Sequence, residues 1–115
     1  MKRGDVYWAD LAPRSGSEQT GRRPVILVSS DGFNQTPNWK SIIVVPVSTS
    51  AAQTRRSPTV VRIPTGVAGL AKASAAVCHQ VTTLDRAKLT RRIGALQPDL
   101  MEELENALKA ALDLD

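Results

Sequence analysis

A chain of 115 residues with 42% hydrophobic content has room for one compact domain and one core, and a lone cysteine, Cys78, excludes an internal disulfide framework. No run reaches the roughly 18–20 apolar residues of a membrane span, and one His with one Cys falls short of the about four ligands of a structural zinc site. The net charge of +4 hides a split: residues 1–97 carry 14 basic against five acidic side chains (+9), whereas residues 98–115 carry one against six (−5).

Taken in chain order, Met1 to Asp5 runs directly into an alternating pattern, so no signal peptide is expected. With the unpaired Cys78 this fits a reducing cytoplasm. Gly4 to Leu11, aromatic and β-branched, reads as an opening strand. Pro13 and the polar stretch Arg14 to Gly21 break it into a long loop. Pro24 to Ser29 is a short, near-continuous apolar run, as expected of a buried central strand. Asp31 to Asn38 reads as turns with one short helical turn, and Ser41 to Ser48 as a second buried strand whose regularity lapses near Pro46. After a polar loop from Ser50 to Ser57, strands are expected over Thr59–Ile63, Ala76–Thr82 and Leu89–Ala95. Pro98 then opens the one convincing helix. Proline stands at its first position, acids fill its first turn, and Leu100, Leu104, Ala107, Leu108, Ala111 and Leu112 form one apolar stripe. Some six short strands and a terminal helix indicate a mainly β fold, a small β-barrel or rolled sheet capped by a helix. The basic body predicts a polyanionic partner, nucleic acid being the commonest, against the alternative of a solvated charged face.

Two ordered segments bear on family. The first is Lys2-Arg3-Gly4-Asp5-Val6-Tyr7-Trp8, followed by Gly16-Ser17-Glu18-Gln19-Thr20-Gly21-Arg22-Arg23-Pro24 and its apolar strand. The second is Val44-Val45-Pro46-Val47-Ser48-Thr49-Ser50, with weaker matches from Val77 to Asp85 and on to the final helix. Together they resemble the MazF/PemK family of toxin endoribonucleases over essentially the whole chain, in order. The resemblance implies an SH3-like β-barrel related to CcdB and PemK, as a single toxin domain over residues 1–115, usually a homodimer. It implies sequence-selective, metal-independent cleavage of single-stranded RNA, leaving a 2′,3′-cyclic phosphate and a 5′-hydroxyl. It also implies an antitoxin partner whose acidic segment lies across the RNA groove; no cofactor is expected.

Metal-free RNA cleavage uses the substrate's 2′-hydroxyl as nucleophile, so the protein must hold the phosphate and stabilise charge on its oxygens. Arg23 suits that role as a permanently charged fork of donors beside the stiffening ring of Pro24, the alternative being a pair with a carboxylate such as Asp10. At the second catalytic position the family usually has threonine; here Ser48 aligns, followed by Thr49. Either hydroxyl could donate to phosphate, and strand alternation would let only one face the groove; Ser48 is the preferred candidate. By the same alternation Cys78 and His79 cannot form a dyad, and Cys78 reads as a small buried residue. His79 stands where the family commonly has an acid, and could stack on a base, touch phosphate or be a satisfied barrel residue, the last favoured. Gln80 carries over as an RNA-facing amide, and Ser17, Glu18 and Gln19 as RNA contacts; Arg55 and Arg56 are backbone contacts or merely solvated. Trp8 and Trp39 are candidate stacking platforms, Trp8 being better assigned to core or dimer interface. The outer face of the last helix (Glu102, Glu103, Glu105, Asp113, Asp115) would repel RNA, so the groove should lie away from it. Two rivals remain on the same fold: a non-catalytic toxin acting on DNA gyrase, and a barrel that binds nucleic acid without cutting it.

Overall fold

The computed structural model describes residues 1–11, 21–50 and 56–115. Strands β1 (Asp5–Leu11), β2 (Gly21–Leu27), β3 (Ser41–Ser48), β4 (Val60–Ile63), β5 (Ser74–Val77), β6 (Thr82–Asp85) and β7 (Leu89–Ala95) form one antiparallel sheet. Helix α1 (Asp31–Asn34) links β2 to β3, and α2 (Pro98–Leu112) ends the chain. The order across the sheet is β4-β5-β3-β2-β1-β7, with β6 beside β3. β3 is the hub. One edge meets β2 through Val44–Pro46; the other meets β6 through Ser41–Val44 and β5 through Val47 and Ser48.

The apolar runs of β2 and β3 are continuous because both faces of the sheet are covered. Ile26 and Val45 enter one core with Val6, Val61, Ile63, Leu70 and Cys78. Their immediate neighbours Val25, Leu27 and Val44 enter a second core with Ala9, Leu11, Ile42 and Leu84. Since successive strand residues point to opposite faces, an unbroken apolar run is what two covered faces require. Helix α2 covers the first core, burying Leu104 and Ala107, with Leu100, Leu108 and Ala111 half-buried at its edge. Leu112, expected in the stripe, is exposed, because α2 ends there.

The opening motif is architectural. The Arg3 guanidinium donates to the Val28 carbonyl (3.1 Å) and pairs with Glu105 on α2 (2.7 Å), tying helix to sheet. Glu105 is therefore a structural partner and not part of the helix's free acidic face. The Asp31 carboxylate, at the start of α1, accepts from the Arg3 amide (2.7 Å) and from Asn34 (3.0 Å), which holds it below the usual carboxylate range.

The sheet is rolled but not closed: among the described residues the end strands β4 and β7 do not pair. A tight turn, Val67–Gly69, fills the gap by packing against β7. The approach is so close that a Cβ on Gly94 would lie 2.3 Å from the Ala68 carbonyl oxygen, and one on Gly69 1.8 Å from that of Ile93. These obstacles are backbone and cannot swing aside. Gly94→Ala is expected to destabilise the fold by roughly 1–3 kcal/mol, as overpacking does, read as a lower urea midpoint. An unchanged midpoint would mean that the turn does not hold this edge.

The expected strand Ala76–Thr82 is split. β5 ends at Val77, a 3-10 turn takes Cys78–Gln80, and β6 begins at Thr82. The turn lets the chain leave one end of β3 and return along its other half. β2 begins three residues earlier than its apolar run, at Gly21, because Gly21, Arg22 and Arg23 pair with β1.

Candidate active site

The β2–β3 ladder runs through Leu27/Val44, Ile26/Val45 and Val25/Pro46, then stops. Pro24 and Pro46 have no N–H to carry it further. Beyond that point the strands take different partners: Arg23 stands opposite Ala9 on β1, and Ser48 opposite Ala75 on β5. Arg23 and Ser48 therefore lie on stretches of strand that no longer pair with each other, which leaves an opening between β2 and β3.

A cleft of 750 Å³ occupies this opening. Arg22, Arg23 and Pro24 line one side, Val47 to Ser50 the other; Trp8, Arg91 and Ile93 come from β1 and β7, and Gly69 to Lys72 with Ser74 complete it. Ser48 is only 5% exposed, yet it reaches the cleft; its Oγ accepts a hydrogen bond from the Ser50 amide (3.0 Å). Serving there as acceptor, the hydroxyl keeps its own proton for a second partner. Thr49 is exposed and lines the cleft as well. Both residues line it because β3 ends at Ser48, so the strict alternation expected to exclude one of them no longer applies at Thr49.

The electrostatics are one-sided. Arg22, Arg23, Lys72 and Arg91 are all exposed, and the described lining contains no carboxylate. Among the described residues none of the four makes an ion pair: the salt bridges there join Arg3 to Glu105 and Arg92 to Asp5. Asp10 stands opposite Arg22 in the β1–β2 register, so the alternative of an Arg23–Asp10 pair is not realised. Four cations gathered around hydroxyls without an internal counter-charge make an anion-binding surface. No residue of α2 lines it, in keeping with a groove set away from the acidic helix.

Of the residues expected from sequence, Arg23, Ser48 and Thr49 come together. Ser17, Glu18, Gln19 and Arg55 lie outside the described residues. Arg56, His79 and Gln80 do not line the cleft; His79 is exposed, its Nδ1 hydrogen-bonded to the Thr59 hydroxyl (2.8 Å). Cys78 is fully buried, so it forms no dyad with His79 although the two share a turn and not a strand. Burial pushes its thiol up to about 12, which leaves almost no thiolate at neutral pH. Native protein at pH 8 is accordingly expected to resist a thiol reagent that labels Cys78 promptly in urea; prompt native labelling would contradict the packing of α2 over this core.

Trp8 is not a core residue: it is half-buried, lines the cleft and carries the Arg22 guanidinium 4.9 Å from its ring centroid. Trp39 stacks on Phe33 (4.8 Å between centroids) away from the cleft, in a loop held by four carbonyl contacts from Arg86. Arg22, Lys72, Ser74 and Arg91 were not among the expected site residues. Arg22 adjoins the motif arginine and could have been found from it; the other three arrive through long-range strand pairing.

The chain matches, over residues 2–112, the profile of the family described as PemK-like, MazF-like toxin of type II toxin-antitoxin system. It is 36% identical over 114 residues to endoribonuclease EndoA of Bacillus subtilis, covering 99% of this chain and 96% of that protein. It is equally 36% identical over 114 residues to endoribonuclease MazF of Staphylococcus saprophyticus, covering 99% and 92%. Among solved structures, Mycobacterium tuberculosis toxin MazF-mt6 superposes with a TM-score of 0.79 at 26% identity, covering 96% of this chain and 98% of that one. The rolled antiparallel sheet with its terminal helix, the match along almost the whole length and the relatives at 36% identity agree, and this chain belongs to the PemK-like, MazF-like toxins of type II toxin-antitoxin systems.

Proposed function

We propose that the protein is a metal-independent endoribonuclease that cuts single-stranded RNA, acting as the toxin of a toxin–antitoxin pair. The observation that best supports this reading is a cleft that gathers Ser48 with four exposed cations, Arg23 among them, and no described carboxylate. Family membership and two relatives named endoribonucleases support it.

In the proposed reaction the 2′-hydroxyl oxygen bonds to phosphorus while the bond to the 5′-oxygen breaks, giving a 2′,3′-cyclic phosphate and a 5′-hydroxyl. The 2′-hydroxyl gives its proton to solvent water and the leaving 5′-oxygen takes one from it, so no net proton is consumed. The Arg23 guanidinium stabilises the extra negative charge on the phosphorane and donates hydrogen bonds. The Ser48 hydroxyl, oriented by the Ser50 amide, donates to a non-bridging oxygen. Arg22, Lys72 and Arg91 hold the flanking phosphates. Ser17, Glu18 and Gln19 enter the proposal as RNA contacts through the family resemblance, and Arg55 as a backbone contact through its charge in a polar loop. Arg56, His79 and Gln80 would meet only RNA that runs beyond the cleft.

An antitoxin with an acidic segment would neutralise the toxin by occupying the same cationic cleft. The chain is proposed to work as one toxin domain over residues 1–115, in a homodimer, in the cytoplasm. Among the described residues no helix is long and apolar enough to cross a membrane, and no group of three His, Cys, Asp or Glu side chains could hold a metal.

Pure protein incubated with a long structureless RNA in EDTA tests the proposal, with the new 5′ ends sequenced. Discrete fragments sharing a short sequence are expected. Intact RNA in EDTA, cut only after divalent metal is added, would remove the mechanism. Intact RNA together with inhibited DNA gyrase would favour the non-catalytic reading.

A further inference from the structure

Trp8 has no task in the proposed phosphodiester chemistry, and Arg22, besides holding a flanking phosphate, lies against it. Trp8 sits on β1 opposite Pro24 of β2 and Arg91 of β7, so rigid strands flank it on both sides. It is half-buried: one part of the indole is packed and the rest opens to the cleft. The exposed Arg22 guanidinium lies over the ring at 4.9 Å from the centroid, within cation–π range. An arginine free to serve a phosphate alone would extend into solvent; this one is held against an aromatic surface. A planar cation on an indole is a surface on which an unpaired base stacks, since every base has a π-face and guanidinium planes stack on bases as aromatic rings do.

We infer that Trp8 and Arg22 form one composite stacking platform that holds an unpaired RNA base next to the phosphate bound between Arg23 and Ser48. The inference rests on the nuclease reading and deepens it: Arg23 acts on the phosphate, while its chain neighbour fixes the adjoining nucleotide. Arg22 touches the base, and Trp8 is a positioning residue that presents the guanidinium plane. The platform selects for single strands, because a paired base has no free face to offer.

The test uses a short RNA spanning a mapped cut site, with a 2′-deoxy sugar at the scissile nucleotide so that binding is measured without cleavage. Each neighbouring nucleotide is replaced in turn by an abasic one. Wild-type protein is expected to lose roughly 5- to 150-fold in affinity at one position beside the cut, the usual worth of one stacked base. In Arg22→Lys, which keeps the charge and loses the plane, that abasic penalty should fall to within about twofold, and likewise in Trp8→Leu. Should Trp8→Leu fail to fold, Trp39→Phe leaves Trp8 as the only indole. Its fluorescence should then be quenched by the intact RNA and not by the RNA abasic at that position. An abasic penalty of equal size in wild type and Arg22→Lys overturns the platform while leaving the nuclease standing. Failure of wild-type protein to cut the unmodified RNA in EDTA removes both.

Discussion

Arg23→Ala is expected to cleave single-stranded RNA roughly 100- to 1000-fold more slowly than wild type, with an unchanged urea midpoint. The rate loss follows from place. The Arg23 guanidinium shares with Ser48 a cleft whose described lining has no carboxylate to compete for it. Stability should survive because the side chain is exposed and makes no ion pair among the described residues. Arg23→Lys should recover part of the rate: a lysine restores the charge but not the two parallel hydrogen bonds that a phosphate accepts from arginine. If Arg23→Ala keeps wild-type activity, Arg23 has no part in the cleavage step.

Ser48→Ala should slow cleavage by roughly 10- to 100-fold, the worth of one hydrogen bond to a charged group. Thr49→Val should stay close to wild type. Both residues line the cleft, so lining alone does not separate them. Two features favour Ser48: its pairing with Ala75 on β5 and the Ser50 amide that orients its oxygen. Thr49 lies just past the strand end, with neither anchor. A harmless Ser48→Ala beside a crippled Thr49→Val would move the catalytic hydroxyl by one residue and leave the rest of the site intact.

These two residues are legible in the amino-acid sequence because they sit at fixed offsets within motifs, Arg23 just before a buried strand and Ser48 at the end of another. The terminal helix is legible for a different reason: its stripe repeats at three- and four-residue spacing over nearly four turns and begins at a proline. β3 shows its full bounds in sequence because every residue from Ile42 to Val47 is apolar. The start of β2 is hidden, because Gly21, Arg22 and Arg23 carry no apolar signal and are held as strand only by β1. The break after Val77 is hidden as well; Val77-Cys78-His79-Gln80-Val81-Thr82 has strand composition, and only the return of the chain along β3 imposes a turn.

The rest of the site is a product of topology. Arg91 reaches the cleft because β7 pairs with β1, bringing it opposite Trp8, 83 positions away in the chain. Ser74 and Lys72 arrive because β5 adds to the far edge of β3. Local sequence pattern has no access to such pairings. The same topology changes what Trp8 means: on a strand read alone it is core, but beside Arg22 and Arg91 it becomes part of the cleft wall.

The most direct measurement compares two synthetic RNAs that differ by one oxygen, an all-ribose strand and one lacking the 2′-hydroxyl at the mapped cut, each incubated with the protein in EDTA. The ribose strand should yield a 2′,3′-cyclic phosphate and a 5′-hydroxyl, and the 2′-deoxy strand should bind with similar affinity and remain whole. Cleavage of the 2′-deoxy strand, or a 5′-phosphate on the product, would show that an outside nucleophile attacks and that Arg23 and Ser48 do not clamp a self-cleaving phosphodiester.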